Sequence, residues 1–197
     1  MKITIVGSRY FGATALEVLR AEPGVEILSV VVPDAEDRLA AAATDAGLPV
    51  SVQADPMEVP AEMIPDGTDL IVTAHSHARV TAEALARSRL GGIGYHPSLL
   101  PRHRGIAAVE WTIKSGDAIA GGTIYHLAER MDAGAIAMQD WCFVKTGETA
   151  RELWERALAP LGLSLMARVV RHAVATGELP SKAQEEEFAT TARKKDL

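Results

Sequence analysis

The stretch KITIVGSRYFGATALEVLRAEPGVEILSVVV, residues 2–32, decides the fold class of this chain. Its first residues, 2–6, form a short apolar run typical of a buried strand, and residues 10–21 have the apolar spacing of a helix. Residues 25–32 are mostly apolar and rich in β-branched side chains, which favours a second buried strand. The sequence therefore predicts a β-α-β unit at the start of the chain.

The alternation of strands and helices continues through the middle of the chain. Four segments carry it, namely a helix over 35–46, a strand over 69–74, a helix over 81–88 and a strand over 91–95. Two later runs, 120–128 and 135–144, predict further strands, whose order in the sheet the sequence does not give. Because strands joined through helices lie parallel and are covered by them, we expect an α/β fold with a Rossmann-like, mostly parallel sheet and helices on both faces.

The last part of the chain predicts a long helical region followed by a charged segment. Thr149 and Glu152 form a capping box that starts a helix, and Pro160 predicts a kink or the start of a second helix. Four side chains should face inward along it: Leu161, Leu165, Val169 and Ala173. Residues 181–197 are poor in large apolar side chains, so we expect one domain over 1–180 and a charged C-terminal tail that is solvated or lies along the surface.

Composition and charge narrow the class of protein. The chain has 197 residues, of which 48% are hydrophobic and 23% charged, which is enough to bury one core. A net charge of −6 argues against a broad nucleic-acid surface, which needs Lys and Arg to neutralise phosphates. Cys142 is the only cysteine, a pattern typical of a reducing compartment. No run approaches the ~20 apolar residues of a membrane span, so we expect a cytoplasmic protein without a membrane partner, of unspecified oligomeric state.

The loop GGIGYHPSLLPRHRG, residues 91–105, is the strongest candidate for a functional site. Ligands of open parallel sheets bind beyond the carboxyl ends of the strands, and His96 follows a predicted strand at such an end. The two prolines of the loop restrict its backbone, so a histidine within it would be held still. Its basic residues Arg102, His103 and Arg104 predict either contacts with an acidic ligand or a surface cluster.

Two motifs carry a resemblance to a known family. The run YHPSLLPRHRG (95–105) resembles the signature loop of the folate-dependent formyltransferases, and MDAGAI (131–136) resembles their second signature. Both motifs occur in the family's order, and the similarity extends over nearly the whole chain. Within the family, the sequence is more similar to the N-terminal hydrolase domain of 10-formyltetrahydrofolate dehydrogenase than to methionyl-tRNA formyltransferase or the sugar N-formyltransferases.

The resemblance implies an enzyme with a catalytic domain over 1–180 and 10-formyltetrahydrofolate as the formyl donor. His96 would donate a hydrogen bond to the oxygen on which charge develops, and Asp132 would orient His96 and organise or deprotonate the attacking group. No metal ion is implied. The pterin ring of the donor would contact mainly the main chain of six residues: Arg79, Val80, Ala128, Glu129, Arg130 and Met131.

One position departs from the family pattern. Most members carry an Asn two residues before the His, where this chain has Gly94. Removal of one oxyanion donor typically costs ~10²–10³-fold in rate, so unmodified transfer to an amine should be impaired unless a water, His75 or His77 replaces the amide. The hydrolase domain of the dehydrogenase also lacks this Asn.

Other features restrict the formyl acceptor. The run GSRYFG (7–12) differs from the Gly-Ser-Asn phosphate loop of the glycinamide ribonucleotide enzyme, which disfavours a ribonucleotide. The net charge of −6 gives no support for tRNA. Water, a thiol carrier and a small amine, including that of a nucleotide-linked sugar, remain as acceptors.

Three other classes of protein stay open. A dinucleotide-dependent reductase would explain a strand, GSRYFG and a helix, but Arg9 stands where the G-x-G-x-x-G fingerprint has its second Gly. A metal-dependent hydrolase would combine His75 and His77 with His96 or Asp132. A non-catalytic folate-binding relative is the third class, which the missing Asn favours.

Overall fold

The computed structural model describes all of residues 1–197 and contains two compact units. The first unit comprises residues 1–94 and 170–179, and the second comprises residues 95–169 and 180–197. Both signature motifs therefore lie in the second unit. The division into a catalytic domain and a tail stays a prediction, but the C-terminal residues are part of a compact unit.

The first unit is built on parallel strands. These are β1 (Lys2–Gly7), β2 (Glu26–Val32), β3 (Val50–Val52), β4 (Glu58–Val59), β5 (Leu70–Ala74), β6 (Arg79–Val80) and β7 (Gly92–His96), which continues into the second unit. Five of them pair in parallel in the order β3-β2-β1-β5-β7, and β4 pairs with β6 separately. Ile3, Ile5 and Val72 have no exposed surface, as expected for strands that are buried on both faces.

Three helices connect these strands: α1 (Arg9–Arg20), α2 (Arg38–Asp45) and α3 (Ala82–Ala86). Apolar side chains recur at helical spacing along α1 and form one buried face: Phe11, Ala15, Leu16 and Leu19. Asp37 and Thr81 begin α2 and α3 by accepting main-chain hydrogen bonds in the first turn. The three helices predicted for this region are confirmed; α1 is shifted by one residue, and α2 and α3 are shorter than predicted.

The second unit joins helices to an antiparallel hairpin. Its helices are α4 (Ala108–Lys114), α5 (Ala150–Leu153) and α6 (Ala159–Thr176), the last of which continues into the first unit at Val170. The hairpin is formed by β8 (Ile119–His126) and β9 (Ile136–Phe143). Five parallel strands and one antiparallel hairpin confirm the predicted α/β, mostly parallel class.

A π-helical turn over Trp154–Leu158 joins α5 to α6. In this turn the Ala159 N–H donates to the Trp154 carbonyl, five residues back. Pro160 then lies in the first turn of α6, directly after the widened turn, which gives its ring room within the helical run. The helical region therefore passes Pro160 through a widened turn, and the capping box of Thr149 and Glu152 at its start is confirmed. Leu165, Val169 and Ala173 are buried as predicted, and Leu161 is half-buried.

The helical run Ala150–Thr176 is long and apolar enough to cross a membrane, by length and composition only. It has 27 residues and a mean hydropathy of 1.2 in its most apolar window, so the expectation that no segment approaches such a length is wrong. A core helix passes the same test, and Leu158, Leu165 and Val169 have no exposed surface. The absence of a membrane partner stays a prediction.

The charged C-terminal segment, residues 180–197, is bound along the signature loop. The Arg104 N–H donates to the Thr190 carbonyl at 2.9 Å, and the Ala192 N–H donates to the Arg104 carbonyl at 2.6 Å. The Trp111 indole N–H donates to the Arg193 carbonyl at 3.1 Å. Of the two expectations for this segment, the one in which it lies along the surface is confirmed, because main-chain hydrogen bonds hold it to the second unit.

Candidate active site

The loop after β7 is held by a small set of polar contacts around a cis Leu100–Pro101 peptide. The Thr123 hydroxyl of β8 donates to the Ser98 carbonyl at 2.7 Å and accepts the Leu100 N–H at 3.1 Å. Leu100 is buried beneath the loop. The loop is thus hydrogen-bonded to β8 just beyond His96, and its rigidity stays a prediction.

His96 is buried, with 6% of its surface exposed, and each ring nitrogen faces a different group. Its Nε2 lies 2.8 Å from the His103 carbonyl. Because a carbonyl only accepts, Nε2 must carry a hydrogen, and Nδ1 of the neutral ring then holds a lone pair. Nδ1 lies 3.6 Å from Asp132 Oδ2. Burial lowers the pKa of His96 below its ordinary value of 6.5, and the Asp132 charge opposes this shift only in part.

Asp132 is presented by the turn between β8 and β9. It is 5% exposed and has a φ of +56°, a left-handed conformation that Asp tolerates better than most residues. Its Oδ2 accepts the Gly105 N–H at 2.8 Å. Together with burial, the Asp132 charge and its hydrogen bond raise the pKa of the Tyr125 hydroxyl, which keeps that group protonated as a donor. The second unit thus brings together His96 and Asp132, as predicted, while their catalytic role stays a prediction.

Gly134 allows the turn that carries Asp132 to close against β8. A Cβ at this position would lie 1.7 Å from the His126 carbonyl oxygen, far inside any real contact. Gly134→Ala should therefore lower the free energy of unfolding by about 2 kcal/mol or more and displace Asp132. Chemical denaturation measures the loss.

A matched control for Gly134→Ala is Gly147→Ala, where the added methyl group meets nothing within 4 Å and only the φ of +74° is unfavourable. That variant should lose about 1 kcal/mol from its backbone conformation. Equal losses in the two variants would contradict the steric argument.

The residues predicted to contact the donor have different surroundings. Arg79 of β6 is exposed and forms an ion pair with Glu58 at 2.8 Å, and Val80 is buried. Both belong to the first unit. The second unit holds the rest on the exposed start of the β8–β9 turn: Ala128, Glu129, Arg130 and Met131. Their role in binding stays a prediction.

The groups proposed to replace the missing amide lie in the first unit. Gly94 is buried in β7 and pairs in register with Thr73 of β5. His75 has a φ of +57°, and its Nδ1 lies 3.1 Å from the Ser8 hydroxyl, which also donates to the His75 carbonyl at 2.7 Å. His77 packs edge-on against His75. Within residues 1–197, no group of three or more His, Cys, Asp or Glu side chains is placed to share a metal ion.

The basic residues of the signature loop are bound within the protein. Arg102 and His103 both contact Asp117, the latter through Nε2 at 2.7 Å. Arg104 is 7% exposed and binds Glu186 through two hydrogen bonds. The expectation of an acidic ligand or a surface cluster is therefore wrong for Arg104, because its guanidinium is buried and hydrogen-bonded to a carboxylate of the same chain, that of Glu186.

Sequence reasoning missed the groups that position His96 and Asp132. The carbonyl of His103 and the N–H of Gly105 are main-chain atoms, so no side-chain pattern predicts them. Gln184 and Glu186 lie in the segment interpreted as a tail. Nothing in the sequence distinguishes Gln184 and Glu186 from the other polar residues of this charged C-terminal stretch.

Comparison with known proteins agrees with the two motifs. The formyl transferase family profile matches residues 9–170. The chain belongs to the formyl transferase family. Cytosolic 10-formyltetrahydrofolate dehydrogenase of Mus musculus is 37% identical to this family member over 202 residues, covering 96% of this chain and 22% of that protein. The chain thus spans about a fifth of the length of that relative, and the resemblance to the folate-dependent formyltransferases is confirmed.

Two further relatives extend the comparison of this formyl transferase family member. Methionyl-tRNA formyltransferase of Lactobacillus delbrueckii subsp. bulgaricus is 31% identical over 195 residues, covering 93% of this chain and 61% of that protein. The solved structure of an N-formyltransferase from Helicobacter canadensis, in complex with folinic acid and dTDP-3-aminofucose, has a TM-score of 0.75 at 16% identity. It covers 100% of this chain and 72% of that one, which shows a shared fold.

Proposed function

We propose that this chain transfers the formyl group of 10-formyltetrahydrofolate to water and releases tetrahydrofolate and formate. The carrying observation is the buried pair of His96 Nδ1 and Asp132 Oδ2, 3.6 Å apart, within the two signature loops. The similarity to 10-formyltetrahydrofolate dehydrogenase supports the donor. Gly94 supports water as the acceptor, because transfer to an amine in most of the family relies on an Asn at that position.

The tautomer of His96 indicates how this side chain would act in the reaction. Attack by water on the formyl carbon needs a group that takes a proton, and the lone pair on His96 Nδ1 is such a group. Once Nδ1 is protonated, the Asp132 carboxylate stabilises the imidazolium. The same Nδ1–H then donates to the oxygen on which charge develops and passes its proton to the departing N10 as the C–N bond breaks. In this scheme His96 acts first as a base and then as the hydrogen-bond donor that the resemblance implies.

The proposal keeps the folate contacts that the family resemblance implies, at Arg79 and Val80 in the first unit and at residues 128–131 in the second. Two exposed apolar side chains near the pair favour an apolar ring system. Met131 precedes Asp132 and is 54% exposed. Ile106 follows Gly105, whose N–H binds Asp132, and is 62% exposed. Large apolar side chains left in water at two adjoining loops are typical of a binding surface. The proposal includes a cytoplasmic location, for which the single Cys142 is the support.

The decisive experiment incubates the protein with 10-formyltetrahydrofolate alone and follows tetrahydrofolate and formate. Release of both without an added acceptor is the expected result. Tight binding without release would contradict hydrolysis and would direct the assay to thiols, small amines and nucleotide-linked amino sugars. Absence of both binding and release would overturn the proposed donor.

The Gly94→Asn variant tests the acceptor directly. The Asn amide would donate a further hydrogen bond to the oxygen on which charge develops. Transfer to an added small amine should therefore rise relative to formate release, by up to ~10²-fold. Gly94→Ala adds bulk without a donor and is the matched control. Rates and acceptor preference that match the parent protein in Gly94→Asn would show that position 94 plays no part in the chemistry.

A further inference from the structure

One side chain outside both signature motifs connects the loops that carry them. Gln184 Oε1 accepts from Arg104 Nε at 3.1 Å and from Arg104 Nη2 at 2.5 Å. Its Nε2 donates to the carbonyls of Asp132 at 2.8 Å and Gly134 at 2.7 Å. The orientation of the amide is unambiguous, because a guanidinium only donates and a carbonyl only accepts.

Arg104 is the residue through which this contact reaches the catalytic pair. The residue before it, His103, supplies the carbonyl that binds His96 Nε2 at 2.8 Å. The residue after it, Gly105, supplies the N–H that binds Asp132 Oδ2 at 2.8 Å. A shift of Arg104 relative to the β8–β9 turn would therefore change the positions of both catalytic side chains.

The other contacts of Arg104 make it a fixed anchor for Gln184. Glu186 binds the guanidinium at 2.6 Å and 3.0 Å, and both main-chain groups of Arg104 are bonded to the C-terminal segment. The hydrogen bond from Arg104 is the main reason that the pKa of Glu186 falls to about 2, so this contact persists at neutral pH. Gln184 joins the anchored loop to the main chain of the Asp132 turn, beside the Gly105 N–H that binds the Asp132 side chain.

We propose that Gln184 is a positioning residue, whose amide holds Arg104 against the main chain of the Asp132 turn and so sets the distance between His96 Nδ1 and Asp132 Oδ2. This inference rests on the proposed function of the pair. It gives the C-terminal segment a role in catalysis, since two of its side chains determine the geometry of loops that lie earlier in the chain.

Two substitutions of Gln184 distinguish its hydrogen bonds with Arg104 from those with the Asp132 turn. Gln184→Met keeps the length of the side chain and removes all four hydrogen bonds. Gln184→Glu keeps the acceptor toward Arg104 and places an oxygen against two carbonyls, so it breaks only the link to the Asp132 turn. Because a misplacement of about 1 Å can cost up to ~10²-fold in rate, kcat should fall by about 10-fold to 10²-fold in both variants, with KM for the folate nearly unchanged.

The pH dependence provides a readout that a purely structural role would not change. Asp132 raises the pKa of His96 against the effect of burial. When Asp132 is displaced, that contribution weakens, so the titration of His96 followed by NMR should move to lower pH in Gln184→Met. The charges of His103 and Arg104, which lower this pKa, stay in place in that variant because Glu186 still holds Arg104. Gln184→Glu adds a carboxylate that acts to raise the pKa of His96, so its readout is kcat. Trp111→Phe removes a different hydrogen bond to the same segment, to the Arg193 carbonyl, and should keep the parental kcat and titration.

The outcomes distinguish the inference from the proposed function. If the parent protein releases formate, both Gln184 variants keep its kcat and Gln184→Met keeps its His96 titration, the positioning role is wrong. If the parent protein turns over no acceptor, the proposed function fails, and the NMR titration of Gln184→Met still decides whether Gln184 sets the geometry of the pair. If one variant does not fold, the other still provides the comparison of kcat.

Discussion

The His96→Ala variant is expected to lose about 10²–10⁴-fold in kcat for formate release, since it removes the group that takes and returns the proton. The ring is held by the His103 carbonyl through Nε2, which leaves Nδ1 as the atom available for the reaction. Binding of folinic acid, a formyl-folate that this reaction does not consume, should remain. Turnover and ligand binding are measured on the same preparation.

A second histidine of the same unit is the control for His96→Ala. His126 also places its Nε2 2.8 Å from a main-chain carbonyl, that of Pro180, but no carboxylate is paired with its ring. His126→Ala should therefore lose a comparable hydrogen bond and keep its kcat. A similar loss of rate in both variants would show that the effect of His96→Ala arises from the fold and not from proton transfer.

The Asp132→Asn variant is expected to reduce kcat by about 10²-fold or more, since the amide no longer stabilises a charged imidazole. Asn tolerates the φ of +56° and still accepts the Gly105 N–H through its oxygen, so the turn should keep its shape. Removal of the charge also lowers the pKa of His96 further, because Asp132 had raised it. The acid limb of the kcat/KM profile should therefore lie at lower pH than in the parent protein.

Asp140→Asn is the control for this charge. Asp140 forms an exposed ion pair with Arg168 at 3.3 Å, of a kind that contributes about 0–1 kcal/mol. It should leave both the rate and the pH profile unchanged. An Asp132→Asn enzyme whose rate and acid limb match those of the parent protein would contradict the role given to the carboxylate.

The sequence predicts those helices and strands whose pattern lies within a few neighbouring residues. The strand β5 and the helix α1 follow from the spacing of apolar residues, because a strand or a helix places side chains on a face at a fixed period. The capping box at Thr149 likewise depends on residues three positions apart. The widened turn before Pro160 was not predicted, since a proline permits a kink, a new helix or a π-turn, and packing of the whole helix decides among them.

At the candidate site, the sequence predicts the side chains of His96 and Asp132 but not the main-chain groups that hold them. The motifs around His96 and Asp132 identify two residues, but the tautomer of His96 follows from the His103 carbonyl, which any residue at position 103 could supply. The C-terminal segment was interpreted as a tail because it has few large apolar side chains. Its attachment depends instead on main-chain hydrogen bonds and on the buried guanidinium of Arg104, which composition does not reveal.

The amino-acid sequence by itself determined the α/β class and the two motifs that name the family, because periodicity and short motifs are properties of neighbouring residues. Only the tertiary structure decided that Gln184 joins Arg104 to the turn of Asp132 and which nitrogen of His96 is available. The physical reason is that these contacts join residues far apart in the chain. Their geometry is set by how the loops close on one another and by which buried donors and acceptors must be satisfied.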